Sequence, residues 1–327
     1  MEKSSIIGSI GTLWRYLLWE VIKMSIKCLM INQNNNIMKI VIGAAAGNVG
    51  SRIAKKVAAS NHSAVLLGNK LDPLENMNIP NSTSYEVDMS DVEQVVAHTK
   101  GADALFWLVP PVLGVSSLRE WYDKIIAAGV AAIKENKIPR VVALSSLGAG
   151  AADHLGTVTY VGNMEKAFKK VASNVVFLRP GYFMENFLLQ KDQIFNNGNF
   201  SFPYATDHDI PFVSADDIGD IAAEYLMDEH WAGQWPRNIM GPRNITLQEA
   251  ADIFSAELQQ EIVYKQVSYD DIKNQFAEFG ANDTVQKELI DLYKALGDPN
   301  GAYATPRTYE ANTPTTLEHV IRNKFIS

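Results

Sequence analysis

Met38-Lys39-Ile40-Val41-Ile42-Gly43-Ala44-Ala45-Ala46-Gly47-Asn48-Val49-Gly50-Ser51-Arg52-Ile53-Ala54-Lys55-Lys56-Val57 is the stretch from which the rest of this chain can be read. A short apolar run, Ile40 to Ile42, meets small residues and three glycines, after which Ile53, Ala54 and Val57 recur at helical spacing. That order is strand, tight turn, helix. Glycines let the backbone approach a pyrophosphate, and a new helix offers unpaired N–H groups at the positive end of its dipole. Gly43, Ala45, Gly47, Asn48, Val49 and Gly50 are therefore candidate contacts for a dinucleotide. Small residues also serve plain close packing of a strand on a helix, and that second reading stays open here.

The chain around this turn has 327 residues, 47% of them apolar, enough for one large α/β domain or a domain and a half. A formal net charge of -8, with no basic tract to offset it, argues against broad binding of nucleic acid or anionic membrane. Small-molecule partners fit better. One cysteine, Cys28, excludes an internal disulfide framework and suits a reducing cytoplasm. No histidine stands in a zinc-ligand spacing, and Asp207-His208-Asp209 reads as a surface loop, so no metal is expected.

Residues 1–37 precede the first strand and do not share its pattern. Ile6 to Met30 is apolar and aromatic, but Arg15, Glu20, Lys23 and Lys27 make it too charged for a membrane span. A secretory signal would need an unbroken apolar core and a small-residue cleavage site. The segment reads as a disordered leader or as sequence upstream of a start at Met38, in preference to an amphipathic surface anchor.

From Met38 on, apolar runs alternate with helical segments, the pattern of a parallel sheet covered on both faces. A second strand, Ala64 to Leu67, ends at Gly68-Asn69-Lys70, about twenty residues past the glycines, where an NAD site carries an acid for the ribose hydroxyls. An amide and a lysine there suit the extra phosphate of NADP, and Lys70 as a solvated surface charge is the other reading. A third strand near Tyr85 to Val87 runs into Asp88, and Ser90 or Asp91 caps a helix from Val92 to His98. Ala104 to Pro111 is a charge-free fourth strand stopped by two prolines. In a doubly wound sheet it lies beside the first, so Val109, Pro110 and Pro111 should wall the nicotinamide side of the crevice. A helix from about Ser117 to Lys134 and a fifth strand, Arg140 to Gly148, follow. Val175 to Leu178 makes a sixth.

The glycine turn resembles the Thr-Gly-x-x-Gly-x-x-Gly turn of extended and atypical short-chain dehydrogenases, with Gly43-Ala44 where that pattern has Thr-Gly. Further on, Phe106-Trp-Leu-Val-Pro-Pro111, Leu144-Ser-Ser-Leu-Gly148 and Leu178-Arg-Pro-Gly-Tyr-Phe-Met-Glu-Asn-Phe187 come in the order found in NmrA-like proteins of the atypical short-chain dehydrogenase group. Ile210 to Ile221, Gly241 to Glu249 and Thr313 to Ile321 continue the likeness. The resemblance implies a Rossmann domain with a smaller C-terminal substrate-binding part, and NADP(H) rather than NAD(H) in the crevice. It also implies that Asp88 contacts adenine and that Tyr182, Phe183 and Asn186 line the pocket beside the nicotinamide with Pro111.

Short-chain dehydrogenases place a serine at the end of this fifth strand and a Tyr-x-x-x-Lys pair beyond it, because reducing a carbonyl needs a proton on its oxygen. Here the resemblance offers Ser145 at the cofactor and Ser146 with Tyr160 as the catalytic pair, but the lysine position is Met164. Lys166 lies about 200° round a helix from that position and does not replace it. Thr246 with Glu249 forms a capping box for a helix from Leu247 to Leu258. Helices Asp270 to Phe279 and Val285 to Leu296 belong to the small lobe, where Phe276, Phe279, Leu289 and Tyr293 serve as a lid or as plain packing.

The expected organisation is α/β: a doubly wound parallel Rossmann sheet over residues 38–245, of which 181–210 contribute to the substrate pocket, and a small α+β substrate-binding lobe over 246–327. The expected function is a cytoplasmic NAD(P)H-dependent oxidoreductase passing hydride to a small organic acceptor such as a quinone. Without the lysine, a non-catalytic NADP(H) sensor that binds a protein partner is the competing reading.

Overall fold

Five apolar runs and one polar edge segment, Ser82–Glu86, form strands in a computed structural model that describes residues 37–326: β1 (Lys39–Ile42), β2 (Ser63–Gly68), β3 (Ser82–Glu86), β4 (Ala104–Trp107), β5 (Arg140–Leu144) and β6 (Val175–Pro180). The leader or upstream segment expected over residues 1–37, with Cys28, falls outside the described residues apart from Ile37. A further strand, Gln234–Ile239, completes a seven-stranded sheet whose order is β3, β2, β1, β4, β5, β6 and then that edge strand. Every pairing in it is parallel. This is the doubly wound arrangement, and the order reverses at β1.

Alternation along the strands sorts side chains onto two faces. Val41, Leu105, Trp107, Val141 and Ala143 are buried under the helices Leu118–Asn136 and Thr157–Lys169. Ile40, Ile42, Phe106, Val142 and Leu178 are buried under Asn48–Ala58 and Ala215–Met227. With both faces covered, β4 has no exposed residue, which is why it carries no charge. The charge-free run ends earlier than its composition suggests: β4 stops at Trp107, and Leu108 to Pro111 turn away as loop. Prolines cannot donate to a ladder.

Helix starts follow their caps. Asp91 accepts from the amide of Gln94, Ser117 from that of Glu120 and Ser214 from that of Asp216. Thr246 and Glu249 make a reciprocal capping box ahead of Leu247–Leu258. The residues from Met38 on cluster as one compact unit. Within it a third core joins residues 182–213 to 245–325, and its centre is a knot of rings. Phe187 lies 5.1 Å from Phe200, 5.0 Å from Phe254 and 5.4 Å from Phe212, ring centre to ring centre. Such contacts add roughly 0.5–1.5 kcal/mol each beyond area burial. A parallel pair between Asn199–Phe202 and Val263–Gln266 ties the two segments together. No helix of the described residues is long and apolar enough to cross a membrane.

Candidate functional site

At the carboxyl end of β1 the chain turns between its two neighbours. The Gly43 amide donates to the Phe106 carbonyl of β4 (3.0 Å) and the Ala45 amide to the Leu67 carbonyl of β2 (2.9 Å). Ala44 between them has a φ of 47°, a left-handed conformation that costs an L-residue about 1–2 kcal/mol. The helix Asn48–Ala58 then starts so close to this turn that a Cβ on Gly50 would lie 2.6 Å from the Ala44 carbonyl oxygen and 2.8 Å from the Ala45 Cα. Gly47, at the cap, makes no side-chain capping bond. Gly47 and Asn48 are exposed, so the first amides of the helix face an open space.

That space is a cleft of about 620 Å³ across the carboxyl ends of β1, β4 and β5. Its floor is Ala44, Gly47, Asn48, Val49 and Gly50. Leu108, Val109, Pro110 and Pro111 wall it after β4, and Leu144, Ser145 and Ser146 after β5. Beyond β6 come Gly181, Tyr182, Phe183 and Asn186. Helical residues close the rest: Tyr122; Thr157, Val158 and Val161; Leu292 and Leu296, with Tyr303. No aspartate, glutamate, histidine, lysine or arginine is among the lining residues. The titratable groups in the wall are tyrosines. Burial pushes Tyr122 up to about 12, with a hydrogen bond from Thr157 acting against it. Burial also holds Tyr182 well above its ordinary value, helped by the neighbouring Tyr293, Tyr204 and Tyr303. These phenols stay protonated and neutral at any physiological pH.

Of the residues singled out in the sequence, Gly47, Asn48, Val49, Gly50, Val109, Pro110, Pro111, Ser145, Ser146, Tyr182, Phe183 and Asn186 share this cleft. Gly43 and Ala45 do not line it; they hold the turn, and a Cβ on Gly43 would lie 2.9 Å from the Met89 Cε. Asn69 and Lys70 are exposed beyond the end of β2, outside the cleft lining. Asp88 lies beyond β3 with its carboxylate folded back onto its own loop, accepting from the Ser90 amide (2.8 Å) and hydroxyl (2.7 Å).

The expected catalytic role of Tyr160 needs correction, and the hydroxyl of Ser145, expected at the cofactor, is engaged inside the protein. Ser145 donates to the buried Glu165 (2.6 Å), which is held by Arg179 through two bonds of 2.8 and 2.6 Å. Its hydroxyl is thus committed inside the protein. Tyr160 lies outside the cleft lining, and its hydroxyl donates to Glu288 Oε1 at 2.9 Å. Burial, then the hydrogen bond and charge of Glu288, push its pKa upward. Ser146 is in the cleft, and its hydroxyl reaches only the Leu147 carbonyl at 3.1 Å.

Several lining residues carried no signal of their own in the sequence. Leu292 and Leu296 are one turn apart on an amphipathic helix, and that spacing states only that one face is covered. Tyr122 and Thr157 become neighbours through helix packing across the sheet face. Lid roles for Phe276, Phe279, Leu289 and Tyr293 find no place in the lining: Phe279 is exposed, Phe276 and Leu289 pack with Leu118 and Val285, and Tyr293 packs against the core around Phe200 and Phe254.

The sequence profile of the NmrA-like family matches residues 36–319. Prestalk A differentiation protein A of Dictyostelium discoideum is 22% identical over 304 residues, 91% of this chain and 96% of its own. NAD(P)H azoreductase of Xenophilus azovorans is 21% identical over 264 residues, 80% of this chain and 88% of its own. Among solved structures, the NADPH-dependent quinone oxidoreductase of Escherichia coli complexed with NADPH superimposes with a TM-score of 0.70 at 19% identity, covering 88% of this chain and 99% of that one. The likeness to that structure is one of fold.

Proposed function

This chain belongs to the NmrA-like family, and from that premise we propose that it is an NAD(P)H-dependent oxidoreductase whose acceptor is a neutral, planar, apolar molecule such as a quinone. The observation that carries the proposal is the cleft itself, which is aromatic and aliphatic and has no charged side chain in its lining. Relatives and neighbours in fold named for NAD(P)H-dependent reduction support it.

The residues present fit a dinucleotide. The uncapped start of Asn48–Ala58, brought hard against the turn by Gly50, offers amides and a helix dipole to a pyrophosphate. The exposed Asn69, Lys70 and Asp88 sit at the ends of β2 and β3, the adenosine side, where Lys70 would meet the extra phosphate of NADP(H). Val109, Pro110 and the backbone of Ser145 flank the place for the nicotinamide. When bound, the nicotinamide supplies the hydride.

Pro111, Tyr182 and Phe183 then present apolar faces to an acceptor, and the Asn186 amide and Ser146 hydroxyl are the polar groups that orient its oxygens. Quinone reduction consumes one hydride and one proton. The side chains of the cleft hold no acid that titrates near neutrality, so water supplies the proton and alignment in a dry pocket supplies the rate.

The test titrates the full chain with NADPH and NADH by fluorescence, then follows loss of the reduced-nicotinamide absorbance on adding quinones. Binding with oxidation is expected, together with a preference for NADPH of about ten-fold that Lys70→Ala removes. Binding without oxidation of any acceptor would overturn the reductase and leave a sensor. No binding would overturn the site.

A further inference from the structure

Three walls of the cleft converge on one carboxylate that lies outside it. Glu288, on the helix Asp283–Gly297, is 9% exposed, and its two oxygens accept four hydrogen bonds. Oε1 takes the Ser117 hydroxyl (3.0 Å), the Arg119 amide (3.0 Å) and the Tyr160 hydroxyl (2.9 Å), and Oε2 takes the Leu118 amide (2.7 Å). Leu118 and Arg119 open the helix Leu118–Asn136, so Glu288 caps a helix some 170 residues away with a full negative charge at its positive end.

A second tie runs beside the first. The Asn282 side chain donates to the Val115 carbonyl (2.7 Å) while accepting from the Thr284 and Val285 amides of its own helix. Each element joined at Glu288 also lines the cleft. The loop ending at Ser117 carries Val109, Pro110 and Pro111, the helix of Tyr160 carries Thr157, Val158 and Val161, and the helix of Glu288 carries Leu292 and Leu296.

We propose that Glu288 is the positioning residue that sets the gape of the cleft, and that Tyr160 acts by holding Glu288 and not by giving a proton. The proposal rests on the reading of the cleft as the nicotinamide and acceptor site. A buried carboxylate is costly unless its lone pairs are filled, so the three elements lock together or not at all. Glutamine cannot stand in, because its NH2 group would face donors on whichever oxygen it replaced.

The full-length variants Glu288→Gln, Tyr160→Phe and Ser117→Ala test this through NADPH affinity, quinone kinetics and amide hydrogen exchange. Glu288→Gln should raise the NADPH Kd and the quinone KM about ten-fold, with faster exchange across residues 109–119. Tyr160→Phe should raise KM a few-fold, keep kcat within about three-fold, and add nothing in the Glu288→Gln background. A loss of kcat of about a hundred-fold in Tyr160→Phe at unchanged KM and exchange would make it the proton donor and overturn the proposal. So would a folded Glu288→Gln with the affinity, KM and exchange of the parent. Should Glu288→Gln not fold, Ser117→Ala carries the same expectation at smaller size. If the parent itself binds no nucleotide, the functional reading fails on that result alone. Exchange across 109–119 in the variants then decides the positioning role, with unchanged exchange overturning it.

Discussion

Ala44 shows how a departure from a sequence pattern turns into strain. The glycine of the family turn is replaced by alanine, and smallness alone makes that look harmless. The φ of 47° shows that the glycine supplied conformational freedom as well as room. Ala44→Gly relieves the left-handed conformation at some cost in unfolded-chain entropy, and where φ is positive the relief outweighs that cost. The variant should be more stable by up to about 1 kcal/mol, read as a higher midpoint in urea. Hydroxyl roles at single residues were the least legible part of the sequence. Ser145 and Tyr160 sit where the resemblance would put a cofactor contact and a proton donor, yet the groups that claim their protons, Glu165 and Glu288, are 20 and 128 residues away. A local motif carries no information about such partners. The missing lysine at Met164 was the better guide, because a tyrosine without it has lost the group that would lower its pKa.

Elements are far more legible than residues. β4 was legible because burial on both faces excludes charge, and helix starts were legible because Asp91 and Thr246 are acceptors at the points where amides are orphaned. What the sequence hid was how elements are bolted together. Glu165 of the helix Thr157–Lys169 is buried and fixed between Arg179 of β6 and Ser145 at the end of β5, so one ion pair joins a helix to two strands. Glu165 reads as a helix residue and Arg179 as part of a motif, with nothing to link them. Arg179→Met leaves the carboxylate buried without its partner and should cost about 3–5 kcal/mol in urea unfolding. The parallel pair of Asn199–Phe202 with Val263–Gln266 was equally hidden, since short strands far apart in sequence announce no pairing.

At the scale of the whole molecule, the sheet and its two covered faces followed from alternating runs, while the third core did not, because its rings come from two separated segments. The tyrosines that line the cleft or flank the third core make the molecule sensitive to alkali. Tyr122 titrates near 10 in the unfolded chain, and burial raises it to about 12 in the fold. A raised pKa favours the fold while the group is protonated, so this contribution is complete below about pH 10 and is lost as pH rises towards about 12. It amounts to about 2.7 kcal/mol at most, and urea midpoints should fall between these pH values in step with tyrosinate absorbance.

The lining of the cleft runs from Ala44 to Tyr303, so the site draws on residues well past the last strand of the main sheet. A chain cut after Ile239 would carry every strand of the main sheet. It would lack Leu292, Leu296 and Tyr303 of the lining, and Glu288, which ties their helix to the loop ending at Ser117. On the proposed function, such a fragment keeps the phosphate-binding turn at Gly47 and Gly50 but loses one side of the acceptor pocket, so truncation should cost acceptor turnover more than nucleotide binding.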